Sequence, residues 1–381
     1  MGLAQKSSAG FSPPTEGQSE RGRRAEARPT FVGAALRRDI LSKRPRSRRE
    51  AAPTASAVCS LGVFTRSLAL VATFGLIAAL PAAEYKPKRV NKAIELLESG
   101  QPVYYDYGRG GYAEGKVAAQ TWGDLLMYDM EGATLDFAAL RAFMKGLVDG
   151  GPTKSGHRTP AVIVTLPLYG LDAATVQANH WMIQQALAAG VHGLHICHAR
   201  NPQAVAAFVR ASRYEIHRQS VGGGLEPGLR MFGAHEYASG IWGVTAKRYY
   251  DVADVWPLNA AGELMIGVKI EDSVGLPLTE QIVRVPGVIF AEWGPRDTSY
   301  ANGFMDVAFD YGRKAGVVEP PALKAAADRI IAASRAAKIF VLDNVRPENV
   351  TQQIDAGIMI AAGGIKEAAD VGRKHTRRTM P

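Results

Sequence analysis

From residue 85 onward the chain alternates two kinds of apolar pattern. Short strand-like runs, PVYYDYG, DLLMYDMEG, PAVIVTLPL, GLHICHA, ELMIGVKIED, GVIFAEWGP, KIFVLDNV and AGIMIAAGG, are separated by stretches of helical period. RVNKAIELLESG predicts a helix ahead of the first strand, ended by Gly100. In DFAALRAFMKGLVDGG, Phe137, Leu140, Met144 and Leu147 share one helical face and Gly150-Gly151 closes it. AATVQANHWMIQQALAAG predicts one helix stopped at Gly190, and NPQAVAAFVRASRY another, with Asn201 as N-cap and Pro202 in the first turn.

Eight apolar strands alternating with helices imply parallel pairing through right-handed crossovers. Eight such units predict a closed (β/α)8 TIM barrel over residues 84–381. A doubly wound open sheet is the alternative. It lacks support at its first turn, because YGRGGYAEG has the wrong spacing for a dinucleotide fingerprint and no later ribose acid is evident. Residues 221–262 break the rhythm. This segment is long for a barrel connection and is expected near the chemistry, on the C-terminal side of the fourth unit.

The part before residue 84 reads differently. Residues 1–60, rich in Arg, Ala, Ser, Pro and Gly without a sustained apolar period, predict a disordered head. Residues 61–83 carry Arg66, an uncharged apolar run from Ser67 to Leu80 and then Pro81-Ala82-Ala83, the order of a secretory leader. The run is short for a membrane span. Placing the true start near Val58 or Val63 reconciles that leader with the residues ahead of it, and predicts an exported, periplasmic protein. A buried helix after a tail, in a cytoplasmic protein, is the other reading.

Charge follows the same division. The net charge is +9, and residues 1–50 hold 12 Lys/Arg against 5 Asp/Glu, or +7 of it. The folded part is therefore close to neutral, with no strong pull toward nucleic acid. The two cysteines, Cys59 and Cys197, make neither a disulfide scaffold nor a cysteine zinc site, and Cys197 in its apolar run reads as a buried thiol.

In a barrel, side chains at the C-terminal ends of the strands meet at the active face. The candidates there are Asp129 and Glu131, Thr165 and Pro167, His198 and Arg200, Lys269 and Glu271, and Gly294, Arg296 and Asp297. Glu271 and Asp297 end adjacent strands, and two carboxylates without nearby Cys or paired His suit a hard divalent cation. Alternatively, Glu271 pairs with Lys269 or Arg296 and Asp297 caps the next turn. Lys269 either balances a bound anion or neutralises Glu271. His192, His195 and His198 recur every third residue, which on a strand sets His195 opposite the other two and excludes a cluster. His198 faces the site or serves structure. Trp293 is expected to pack, and YYDYGRGGY to form either a lid or an ordinary loop.

GVHGLHICHARNPQAVAAFVRASRY, LMIGVKIED and VPGVIFAEWGPRDTS, with YDMEGATLDFAAL before them and AGIMIAAGG after, resemble the HpcH/HpaI aldolase and citrate lyase family over roughly residues 88–375. The resemblance implies a modified TIM barrel and a metal-dependent class II aldolase. By it, Glu271 and Asp297 hold Mg²⁺, Mn²⁺ or Co²⁺, and backbone amides near Gly294 and Arg296 take the carboxylate of a 2-oxo acid. It also implies a homo-oligomer.

Three positions depart from the family pattern. Gly132 stands where a His of the base is usual, Leu166-Pro167 where Arg-Pro is usual, and Lys269 where Gln is common. Arg230, Arg109 or Arg296 would have to supply the lost cation, and His198 or Glu131 the lost base. The leading expectation is a carbon–carbon lyase that cleaves a 4-hydroxy-2-oxo acid to a pyruvate-type acid and an aldehyde. The alternatives are a citrate-lyase-like enzyme on a CoA ester, and a barrel that binds a small carboxylic acid without turnover.

Overall fold

The computed structural model describes residues 85–311, 319–361 and 363–381. The expected head and leader, with Cys59, lie outside the described residues. Eight strands, β1 (Val103–Gly108), β2 (Leu125–Asp129), β3 (Ala161–Tyr169), β4 (Gly193–Cys197), β5 (Met265–Lys269), β6 (Phe290–Glu292), β7 (Phe340–Leu342) and β8 (Ile358–Ala361), pair in sequence order and close into a barrel. Every pair is parallel, including β1 with β8. This is the (β/α)8 barrel that the alternation predicts.

Strand parity sorts the apolar side chains into two cores. Leu125, Met127, Ala161, Ile163, Met265, Phe290 and Leu342 fill the barrel interior. Their neighbours Leu126, Tyr128, Val162, Val164, Ile266 and Val268 pack outward under the helices. Inside, the Phe290 ring lies over Gly267, and a Cβ at 267 would overlap it. Any larger residue there would displace a fully buried aromatic from the barrel axis.

The helix Lys92–Glu98 plugs the N-terminal end of the barrel with Ala93, Ile94, Leu96 and Leu97. Its start is fixed by Asn91, whose Oδ1 accepts from the Ala93 and Ile94 amides at 3.0 and 3.3 Å. Such a cap contributes about 1 kcal/mol. The expected helix over 173–190 is instead two, Ala173–Ala178 and His180–Ala188. They part at Asn179, whose side-chain amide donates to the Thr175 carbonyl.

Residues 221–262 are not at the active face. After a strand and its helix the chain is back at the N-terminal end, so a segment between helix Pro202–Ser212 and β5 belongs to the bottom of the barrel. There it forms helices His235–Trp242 and Ala246–Val252. Trp242 donates to the Gly190 carbonyl at 2.8 Å and stacks on His192. Among the described residues no helix is long and apolar enough to cross a membrane.

Candidate active site

The C-terminal ends of the strands surround a cavity of about 950 Å³. Glu131, Thr165, His198, Lys269, Glu292, Gly294, Arg296 and Asp297 line it, with Tyr105 and Tyr107 from β1 and Arg346 beyond β7. Lys269 stands at its centre of charge. Its ammonium donates to Glu131 Oε2 at 3.1 Å, and lies 3.1 Å from Glu271 Oε2 and 3.7 Å from Asp297 Oδ2. Burial works against the charged ammonium, but Cys197, Glu292, Glu271 and Glu131 outweigh it and raise its pKa well above the usual value. The amine is thus a fixed cation rather than a nucleophile.

Glu271 is almost wholly buried, and burial pushes its carboxyl up to about 6. Its Oε1 accepts from the His198 amide at 3.0 Å, whereas Oε2 is buried without a hydrogen bond despite the nearby ammonium. A buried, unbonded carboxylate oxygen with Glu131 and Asp297 turned toward the same ammonium fits a hard divalent cation. Cys197 belongs to this cluster: ligand atoms of Glu131, Cys197 and Glu271 lie within 4.8 Å of one another. Parity on β4, where Gly193, His195 and Cys197 alternate inward, is the signal that places the thiol here.

Parity alone would point His198 outward, beside Leu194 and Ile196. The chain avoids this by leaving β4 in the left-handed region, with φ +44° at His198. The ring then lies edge-on to Tyr169. Nδ1 meets Asp272 Oδ2 at 3.2 Å, and Nε2 lies 3.7 Å from Glu271 and 3.9 Å from Glu131. The bond to Asp272 raises the His198 pKa. Asp272 is held in turn by Arg200 at 2.6 Å and by the Val274 and Gly275 amides at 2.9 Å.

Several candidates fall elsewhere. Arg230 is buried in the bottom segment, over the Tyr214 ring and bonded to the Tyr214 and Tyr249 hydroxyls, so it holds that segment and does not reach the cavity. Arg109 is exposed and outside the cavity lining, and Arg296 is left as the candidate that lines it. Asp129 Oδ1 accepts from the Glu131 and Gly132 amides at 2.8 and 3.1 Å, closing the turn that sends Glu131 to Lys269. A Cβ at Gly132 would stand 2.8 Å from Asp129 Oδ2, so a side chain where the family His is expected would displace the Asp129 carboxylate that closes this turn. Leu166 faces the outer core, and Thr165 is the cavity residue of that pair. Trp293 packs as expected, donating to Asp343 at 3.2 Å. Glu292, His195 and Cys197 are the site residues that sequence reasoning overlooked.

No family model and no curated protein sequence matches the chain. Solved structures do. A HpcH/HpaI aldolase/citrate lyase family protein from Burkholderia cenocepacia is 20% identical over 75% of this chain and 97% of its own, with a TM-score of 0.54. A HpcH/HpaI aldolase from Desulfitobacterium hafniense is 16% identical over 76% and 98%, with a TM-score of 0.51. The fold is that of the HpcH/HpaI aldolases. Macrophomate synthase shares it too, at 19% identity over 78% of this chain and 94% of its own, with a TM-score of 0.51. At such identities the likeness is one of architecture, and the chemistry has to be argued from this cavity.

Proposed function

We propose that the chain is a carbon–carbon lyase that cleaves a 4-hydroxy-2-oxo acid to a pyruvate-type 2-oxo acid and an aldehyde. The observation that carries this reading is the convergence of Glu131, Glu271 and Asp297 on the Lys269 ammonium, beside His198. Glu271 and Asp297, with Glu131 beside them, would hold a divalent ion, Mg²⁺, Mn²⁺ or Co²⁺. When bound, that ion would draw electron density from the keto oxygen and favour an enolate. The Arg296 side chain, with the Arg296 and Asp297 backbone amides beyond Pro295, orients the substrate carboxylate at the cavity wall. Lys269, ion-paired with Glu131, Glu271 and Asp297, keeps these three carboxylates gathered. His198 Nε2, held by Asp272 through Nδ1, receives the proton of the aldol hydroxyl as the carbon–carbon bond breaks.

One observation favours the second reading, a barrel that binds a carboxylic acid without turnover. The turn at Gly132 and the outward Leu166 leave the family's usual base and carbonyl-polarising positions without a polar side chain at the cavity. Pyruvate release from a panel of 4-hydroxy-2-oxo acids with Mn²⁺, with and without EDTA, separates the two. Turnover lost on chelation is the expected result. Metal-dependent binding of the oxo acid with no turnover across the panel would establish the second reading instead.

A further inference from the structure

Aldol cleavage leaves an enolate that must be protonated on carbon, and His198 is already engaged with the hydroxyl proton. A second proton carrier is therefore needed on another side of the cavity. Glu292 ends β6 and lines the cavity beside Lys269, its register partner on β5. One layer below it, two strands away on β4, is His195, fully buried, with no hydrogen bond to either ring nitrogen among the described residues. His195 Nδ1 lies 3.7 Å from Glu292 Oε2, and the ring packs against Phe290. An orphaned buried imidazole is costly and calls for an explanation. A carboxyl group just above it, facing a cavity, supplies one.

We propose that Glu292 is the acid that protonates the enolate and that His195 is the positioning residue that holds its carboxyl. This inference rests on the lyase reading above. In the step, the Glu292 O–H bond breaks and its proton joins the enolate carbon. The enolate π pair forms the new C–H bond while the oxygen lone pair restores the keto group. The resulting carboxylate faces the Lys269 ammonium and recovers a proton from water. Burial pushes the Glu292 carboxyl up to about 8, which favours the protonated acid. His195 stays neutral, because burial lowers its pKa to about 3, so its one N–H can donate to the Glu292 carboxyl and leave the acid's own O–H for the enolate.

The test is deuterium exchange into the methyl group of pyruvate in D₂O with Mn²⁺, read by NMR, which runs the same proton transfer in both directions. Glu292→Gln is expected to slow exchange about 100-fold or more while pyruvate affinity stays within about threefold. Exchange within a few-fold of the wild type overturns the assignment. If Glu292→Gln does not fold, Glu292→Asp withdraws the carboxyl by one methylene and should slow exchange about 100-fold. An unslowed Asp variant overturns the assignment equally. His195→Gln, which can still bond the carboxyl, should retain more exchange than His195→Leu, and equal rates would remove His195 from the proposal. A wild type that releases pyruvate from 4-hydroxy-2-oxo acids while Glu292→Gln exchanges normally sinks the proton assignment alone. A wild type that neither cleaves nor exchanges sinks the lyase reading and this inference together.

Discussion

Gly294 lies directly against Glu271. The glycine has φ +53°, and a Cβ built on it would overlap Glu271 Oε2 and come within 2.7 Å of the Glu271 Cβ. Two demands therefore meet at one residue: the left-handed conformation that opens helix Pro295–Ala301, and the close approach that seals the buried carboxylate. The rigid Gly-Pro turn thus sets Asp297 and Glu271 relative to each other. Gly294→Ala is expected to cost about 1–3 kcal/mol of stability in strain and to weaken divalent-ion binding. Chemical denaturation and Mn²⁺ titration calorimetry check both, and a variant with wild-type metal affinity would show that the turn does not set the carboxylates.

Lys269 competes with any ion that its carboxylates would hold. Two unit charges about 4 Å apart repel by about 4 kcal/mol at an effective dielectric of about 20, and a divalent ion feels twice that. Lys269→Met keeps the stem and removes the charge. Mn²⁺ affinity is expected to rise by about tenfold or more, measured by calorimetry. An unchanged or weaker affinity would mean that the ammonium is not in the ion's way.

The barrel was legible because the two cores obey strand parity, and parity survives in the sequence as short apolar runs of fixed type. The same rule applied residue by residue reaches Cys197 and Glu292, two positions on from His195 and Phe290, which an apolar-run reading passes over. His198 was reachable only as a residue near a strand end, since its orientation depends on a backbone turn at φ +44° that no periodicity encodes. The misplacement of 221–262 and Arg230 had a different origin. A long segment attracts a functional reading, but its position between a helix and the next strand puts it at the opposite end of the barrel. Glu131 was legible as a site acid, yet the divergence of Asp129 from it depends on a local turn bonded through Asp129 Oδ1.

Asp272 controls the protonation of His198. The folded pKa of His198 is raised, so the imidazole stays charged at higher pH than a free histidine and becomes a base only above that point. Asp272→Asn keeps an oxygen for the Val274 and Gly275 amides but removes the charge facing Nδ1. The His198 titration midpoint, followed by imidazole NMR, should fall toward the ordinary histidine value. The alkaline side of catalysis should then extend to lower pH. A midpoint that does not move would show that Asp272 does not govern this ring.

At the opposite end of the barrel, Asp124 fastens the N-terminal helix and the C-terminal tail to the start of β2. Its Oδ2 accepts from the Tyr104 amide at 3.0 Å and from Arg378 at 2.6 Å, and its Oδ1 lies 3.1 Å from the Lys92 ammonium. Burial alone would raise its pKa, but Arg378, Lys92 and Arg373 outweigh that and hold it far below the ordinary carboxylate range. A depressed carboxylate contributes stability that is complete above its unfolded pKa of about 3.9 and is lost as pH falls toward the folded value. Asp124→Ala leaves buried cations unpaired and should cost about 3–5 kcal/mol at pH 7. The deficit should shrink below about pH 4, where the wild type loses the same contribution. Urea denaturation of both proteins at pH 7 and pH 3 measures this, and a deficit of equal size at both values would mean that the carboxylate's charge does not do the fastening.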